Sequence, residues 1–302
     1  MEKAKINYAL IGASGIGSVH ARILKKNKIF ISSILGSSEK SSLSTTNNLN
    51  QIYKMDAKPY YNIDDLLESS SVNTVSLCVP NEMHFFYLKK LLNHKINILC
   101  EKPLFWNSNL SKKDFLESLE FLREHKNRSL FVNTSSKFYI SQIKRYKSIK
   151  TFEFNFHTNG TNTYSNIGVD LMPHGLAMLL ELVGRGEISL FEKKITKTEF
   201  SASFFYNDVK VKFFFSNKKN QKKIFSFKIN EDFYERILFI DSSKCLNFFL
   251  KSNIHEKRIV IKDPFEIMIE EFLSYCKNQN ENRKDSFEDD AFIMLNMIEN
   301  LV

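Results

Sequence analysis

The sequence predicts an α/β protein in two parts: a doubly wound parallel sheet first, then an α+β part with a large, mostly antiparallel open sheet. Three observations carry this. Short β-branched runs alternate with helix-period stripes through the first third of the chain, as parallel strands with right-handed crossovers require. The first run opens straight into a helix through Gly12-Ala13-Ser14-Gly15-Ile16-Gly17, a Rossmann-type beginning. After about Ser135, strand-like runs follow one another, most of them separated by short polar or charged turns. The expected division is residues 1–135 and 136–302, with the last helices able to pack back on the first part.

Taken in order, Ile6–Ile11 is the first strand, and Val19, Ile23 and Leu24 form the inner stripe of the helix after the turn. Ile29–Leu35 is the second strand, closed by Gly36-Ser37-Ser38. A helix from Ser41–Ser44 to about Lys54 and a short one starting at Asp64-Asp65, capped by Asn62, precede the strand Thr74–Val79. Pro80-Asn81 ends that strand, and Glu82–Asn93 has a helical period with Phe85, Leu88, Leu91 and Leu92 inside. Ile96–Cys100 is the next strand, Ser108–His125 a long helix and Ser129–Asn133 the last strand of this part. Then Thr151–His157, Ser189–Thr196, Phe200–Phe205, Val209–Phe215, Ile224–Ile229, Glu235–Ile240, Leu246–Leu250 and Lys257–Ile261 read as strands. A helix at about Val169–Val183 interrupts them, and helices at Pro264–Lys277 and about Ser286–Leu301 follow.

Composition narrows the function classes. Among 302 residues, 43% are hydrophobic and 25% charged, enough apolar material for a packed core and against wholesale disorder. Cys78, Cys100, Cys245 and Cys276 lie far apart without Cys/His ligand spacing, so neither a disulfide framework nor a metal site is expected. No apolar run approaches a membrane span. Met1-Glu2-Lys3-Ala4-Lys5 runs into a strand without a signal-peptide pattern, so a cytoplasmic protein is expected. Lys and Arg exceed Asp and Glu by 43 to 34, a net +9. The densest basic stretch, Asn217–Lys223, lies between two strands and reads as a solvated hairpin loop rather than a nucleic-acid contact. The positive field would also attract an anionic cofactor or substrate.

Four motifs carry chemistry. A strand that enters a helix through small residues lets backbone N–H groups approach a pyrophosphate, whose charge the helix N-terminus stabilises. Gly12, Ser14, Gly15, Ile16 and Gly17 are the candidates, although Ser14 takes the place of a second Gly; the alternative is a plain tight turn. At the second strand's tip, Ser37 and Ser38 stand where NAD sites usually carry an acid, with Lys40 near, which favours NADP over NAD; an ordinary polar loop is the alternative. Pro80-Asn81 and Glu101-Lys102-Pro103 follow two further strand ends, where open α/β sheets place their ligand crevice. A Lys there can polarise a substrate oxygen. Last, Asp170 and His174 are four residues apart and share a helix face if both lie in one helix. His174 would accept a hydroxyl proton and Asp170 stabilise the charged ring, with Pro173 tolerated near the helix start. The competing reading is an N-capping Asp170 and a buried, satisfied His174.

Together these residues resemble the glucose–fructose oxidoreductase/inositol dehydrogenase/MocA (Gfo/Idh/MocA) family. The resemblance runs from the Gly12–Gly17 turn and His20, through Pro80-Asn81 with His84 and Glu101-Lys102-Pro103-Leu104, to Asp170 and His174. It implies a Rossmann domain, an open-sheet domain, and an NAD(P)-dependent dehydrogenase of a sugar, nucleotide sugar or cyclitol. Lys102, Asp170 and His174 would be catalytic, His84 and Glu101 would join the cofactor-binding set, and Lys102–Pro103 would be a cis bond. It further implies homo-oligomers through the open sheet, which alternating Phe, Ile and Val on Phe200–Phe205 and Val209–Phe215 would suit. Met172, Pro173, Ala177 and Lys137 depart from the family pattern and bear on the substrate. Two other classes compete: a non-catalytic dinucleotide-binding regulator or partner subunit, and a reductase of a non-sugar substrate such as an imine.

Overall fold

Six short strands, β1 (Tyr8–Ile11), β2 (Ile31–Leu35), β3 (Lys58–Tyr60), β4 (Thr74–Leu77), β5 (Asn97–Cys100) and β6 (Leu130–Val132), pair in the order β3-β2-β1-β4-β5-β6 in the computed structural model. Every ladder is parallel, and the order reverses between β1 and β4, the switch point of a Rossmann sheet. All side chains of β1 and β4 are buried, as a sheet covered on both faces requires. The covering helices are α1 (Ile16–Lys26), α2 (Glu39–Tyr53), α3 (Ile63–Ser69), α4 (Asn81–Leu92) and α5 (Lys112–His125). The structure describes residues 6–69, 71–107, 109–125, 130–143, 145–240, 246–254, 258–278 and 287–301. The expected element ends at Ser108, Ser129, Lys257 and Ser286, and Cys245, lie outside the described residues. The chain divides into two units, Met1–Asn133 with Met268–Ala291, and Thr134–Ile267 with Phe292–Val302.

Local chemistry explains the differences from expectation in the first unit. The strand β3 is three residues long with Pro59 inside, too short for a pattern, and it survives as an edge strand on β2. The helix expected from Ser108 begins at Lys112, because Ser111 caps it. Ser111 Oγ accepts the Asp114 N–H at 3.1 Å and donates to the Asp114 carboxylate at 2.6 Å. Asn62 caps α3 as expected, its Oδ1 accepting the Asp64 N–H at 2.8 Å.

The second unit contains α6 (Lys137–Ser141), β7 (Thr151–Thr158), α7 (Ser165–Val183), β8 (Ile188–Ile195), β9 (Glu199–Tyr206), β10 (Val209–Asn217), β11 (Ile224–Ile229), β12 (Asp232–Ile240), β13 (Leu246–Ser252) and β14 (Ile259–Ile261). The helices α8 (Pro264–Asn278) and α9 (Phe287–Leu301) follow, and the unit boundaries fall within both. The eight strands are ordered β14-β13-β12-β11-β7-β10-β9-β8, antiparallel except for the β7–β10 pair. This corrects one expectation. Asn217–Lys223 does not close a hairpin, because β7 lies between β10 and β11 and bonds to both. The stretch is also partly neutralised: Lys218 pairs with Glu199, and Lys222 with Glu235 at 3.3 Å.

Phenylalanine supplies this unit's core. Phe152, Phe154, Phe200, Phe204, Phe213 and Phe215 point to one side of the sheet and are buried there. Phe204 meets Phe213 edge-on at 5.3 Å, and Phe154 meets Phe225 at 5.1 Å. The helix α7 lies on this side with small residues down: a Cβ on Gly175 would stand 2.6 Å from the Phe213 ring. The inward-facing apolar residues of β9 and β10 therefore pack within the unit. The opposite side carries Ser201, Ser203, Lys210 and Lys212, with Phe205, Phe214, Phe239 and Val260 exposed.

Candidate active site

The carboxyl ends of β1, β2, β4 and β5 bring Gly12–Gly17, Ser37-Ser38, Pro80-Asn81 and Glu101-Lys102 to one edge of the parallel sheet. At its centre the chain turns with Gly12 at φ 81°, and a Cβ there would stand 2.8 Å from the Cys78 carbonyl. At Gly17 a Cβ would come within 2.0 Å of the Gly12 carbonyl, so α1 can start this close to β1 only on glycine. Gly15 occupies the N-cap with no side chain capping the helix, no acid in the first turn, and open space where its Cβ would be. A bare helix start with open space before it fits a dinucleotide pyrophosphate. At the β2 tip Ser37 is exposed, while Ser38 Oγ accepts the Ser41 N–H at 3.3 Å as the N-cap of α2. Ser38 is thus engaged in capping.

Behind this edge lies a buried polar chain. Tyr8 Oη is 2.7 Å from Ser76 Oγ, which is 2.9 Å from His20 Nδ1; His20 Nε2 is 2.8 Å from Glu101 Oε1, which also accepts Asn133 Nδ2 at 2.6 Å. Burial pushes the Glu101 carboxyl up, but the His20 hydrogen bond and charge, Asn133 and Lys102 together hold it below the usual range. His20, Cys78 and Glu101 bring their donor atoms within 4.8 Å of one another, a gathering that their spacing in the chain does not announce. Both imidazole nitrogens are committed to hydrogen bonds, and burial raises the Cys78 thiol well above its ordinary range, so the trio suits a hydrogen-bond cluster better than a metal.

His84 and Glu101, expected among the cofactor contacts, lie past the ends of the strands that would carry the cofactor. Both are buried and hold the strand ends from behind. His84 Nδ1 lies 2.9 Å from the Pro103 carbonyl and Nε2 2.9 Å from the Val79 carbonyl, tying the two strand-end loops together. Burial lowers its pKa against the pull of both carbonyls. Lys102 is half-buried, and the Lys102–Pro103 bond is cis.

In the second unit α7 begins at Ser165, a turn before the expected start, because the polar Ser165–Gly168 segment hides the first turn from a hydrophobic count. This overturns two readings. Asp170 is not the N-cap, which Tyr164 provides with φ 53°, and Pro173 sits inside the helix, where it cannot donate to the Val169 carbonyl. Along α7 almost every side chain from Ile167 to Leu179 is buried; Asp170 and His174 stay half-accessible on one face with Asn166. Asp170 Oδ2 accepts Asn162 Nδ2 at 3.1 Å. His174 Nδ1 is 2.7 Å from Ser136 Oγ, and its ring meets Phe156 edge-on at 5.4 Å. Arg236 lies over the Phe225 ring at 4.5 Å and the Phe156 ring at 5.8 Å, and donates to Tyr139 Oη at 3.2 Å.

Residues 6–134 match the family described as "Oxidoreductase family, NAD-binding Rossmann fold" (GFO_IDH_MocA). The first unit is thus similar to the Rossmann domain of the Gfo/Idh/MocA oxidoreductases. Over 55 residues it is 38% identical to an uncharacterized oxidoreductase of Escherichia coli (strain K12), YgjR, covering 18% of this chain and 16% of that one. The chain spans about a sixth to a third of the length of the curated relatives it matches. Solved structures match its fold throughout. UDP-N-acetylglucosamine 3-dehydrogenase GnnA from Acidithiobacillus ferrooxidans aligns over 99% of this chain and 97% of its own, with TM-score 0.71 and 15% identity. KijD10, a 3-ketoreductase from Actinomadura kijaniata in complex with NADP, aligns over 98% and 96%, with TM-score 0.73 and 13% identity. No helix, among the described residues, is long and apolar enough to cross a membrane.

Two residues beside the α7 face escaped the sequence reading. Ser136 is a common residue 38 positions from His174, with no motif around it. Arg236 sits on a strand whose alternation places it on the α7 side, after buried Tyr234, and that alternation was the available signal.

Proposed function

We propose that this NAD(P)-binding oxidoreductase transfers a hydride between a nicotinamide dinucleotide and a carbohydrate-type substrate, with an anionic nucleotide sugar as the best-fitting class and NADP the favoured cofactor. The observation that carries the reading is His174: an imidazole on the accessible stripe of an otherwise buried helix, its Nδ1 held by Ser136. With Nδ1–H donating to Ser136 Oγ, the Nε2 lone pair takes the substrate hydroxyl proton. Asp170, one turn earlier on the same face, stabilises the imidazolium that forms. The Lys102 ammonium donates to the substrate oxygen and stabilises the negative charge developing there. A nicotinamide dinucleotide held at Gly12–Gly17 and Ser37 would supply the hydride acceptor for oxidation, or the hydride donor for reduction. Arg236, seated on two aromatic rings, supports an anionic substrate. Two fold neighbours, a UDP-N-acetylglucosamine 3-dehydrogenase and a 3-ketoreductase, support this class. For NADP the support is the acid-free tip at Ser37. Self-association belongs to the proposal through the outer sheet side, where Phe205, Phe214, Phe239 and Val260 are exposed.

A turnover panel tests it: neutral sugars, cyclitols, sugar phosphates and nucleotide sugars, each with NADP and NAD. Turnover of nucleotide sugars with NADP at least tenfold favoured is expected, about 1.4 kcal/mol of preference. Activity confined to neutral polyols would remove the anionic assignment. Tight dinucleotide binding with no turnover anywhere would leave a regulator or partner subunit.

A further inference from the structure

Within the first unit, the turn that carries Lys102 rests on a carboxylate from the far end of the chain. Asp290, on α9, is completely buried. Its Oδ2 accepts the Leu104 N–H at 3.1 Å, while its Oδ1 has no hydrogen-bond partner among the described residues. The groups facing it are Lys102 and Leu104 on the turn, the Cys100 thiol on β5, and Asp289 on its own helix. For the backbone bond alone, an Asn would serve as well: its side-chain oxygen accepts the same N–H without a charge to desolvate. A half-satisfied buried carboxylate next to the Lys102 turn therefore needs another reason.

We propose that Asp290 is a positioning residue for Lys102, fixing the Lys102-Pro103-Leu104 turn through the Leu104 N–H and placing a buried negative charge that holds the Lys102 ammonium at the site's edge. The inference rests on the proposed role of Lys102 in hydride transfer and adds to it a residue that touches neither substrate nor cofactor. Burial pushes the Asp290 carboxyl up to about 7, against the pull of the Leu104 N–H and Lys102, with Asp289 pushing it further up. Its charge is therefore set within the working pH range.

The experiment needs no substrate in its first arm. Melting temperatures of wild type and Asp290→Asn are compared from pH 4 to 9. The native carboxyl binds its proton more tightly than the unfolded one. Wild type therefore loses stability as pH rises from the ordinary carboxylate range to about 7, and the Asn variant does not. The variant should melt about 2–4 °C higher at pH 8, with the difference levelling off above about 7. The same comparison in a Lys102→Met background should move the levelling point up by about one pH unit, because the charge that favoured ionisation is gone. A difference independent of pH, or a levelling point unmoved by Lys102→Met, overturns the proposal. In the second arm, on whatever substrate the panel yields, Asp290→Asn should lower kcat about tenfold with dinucleotide affinity unchanged; an unchanged kcat also overturns it. If wild type turns over nothing, the functional reading fails, while the melting arm still decides whether the two charges are coupled.

Discussion

The two units present their candidate residues on opposite principles. In the first unit nearly everything is done by strand ends and backbone: one edge of a parallel sheet collects Gly12–Gly17, Ser37, Asn81 and Lys102, and buried groups such as His20, His84 and Glu101 hold that edge from behind. In the second unit a single helix lies on a phenylalanine floor, and two half-accessible side chains, Asp170 and His174, distinguish one face of it. A site made from topology tolerates change in side chains that do not shape the turn. A site made from two side chains on a finished helix loses its chemistry when one is removed and keeps its fold. The first unit is read as binding, the second as chemistry.

The sharpest way to break this contrast is His174→Ala. Turnover should fall about 10²–10⁴-fold, the range for a general acid–base group, while dinucleotide affinity and melting temperature stay near wild type. Stopped-flow rates and calorimetry on the same preparation would show it. A variant that melts lower but turns over normally per folded molecule would make His174 a packing residue.

A smaller and opposite effect is expected from Glu101→Gln. The Gln can still bond His20 or Asn133 but brings no charge, so stability should drop by about 1–3 kcal/mol at pH 7, together with weaker dinucleotide binding. The sign with pH follows from the lowered carboxyl. Its contribution is complete above the unfolded value of about 4.3 and disappears as pH falls through the lower native value, so the two proteins should converge in acid. Chemical denaturation between pH 3 and 8 measures this. A gap that widens towards acid would contradict it.

The contrast also explains what the sequence could reveal. Local features of both units announce themselves: the strand–glycine–helix turn, the strand-ending Pro80-Asn81 and Glu101-Lys102-Pro103, and the Asp170/His174 spacing all lie within a few residues, and the order of strands and helices follows from their periodicity. What stayed hidden is non-local or short. Insertion of β7 between β10 and β11 depends on pairing across dozens of residues. The Ser136–His174 bond spans 38 positions and the Asp290–Leu104 bond 186. The α6 helix has five residues, too few for a period. The polar first turn of α7 hid its true start, and with it the interior place of Pro173.

Hydride transfer is the central step of the proposed function, and isotope tracing tests it most directly. NADPH doubly deuterated at C4 is incubated with the enzyme and the oxidised form of the substrate that the panel identifies, and the product is examined by NMR and mass spectrometry. The account predicts one deuterium on the new carbinol carbon for each NADPH consumed, in wild type and in the residual activity of His174→Ala alike. Deuterium lost to solvent, or a reduced product without the label, would contradict it.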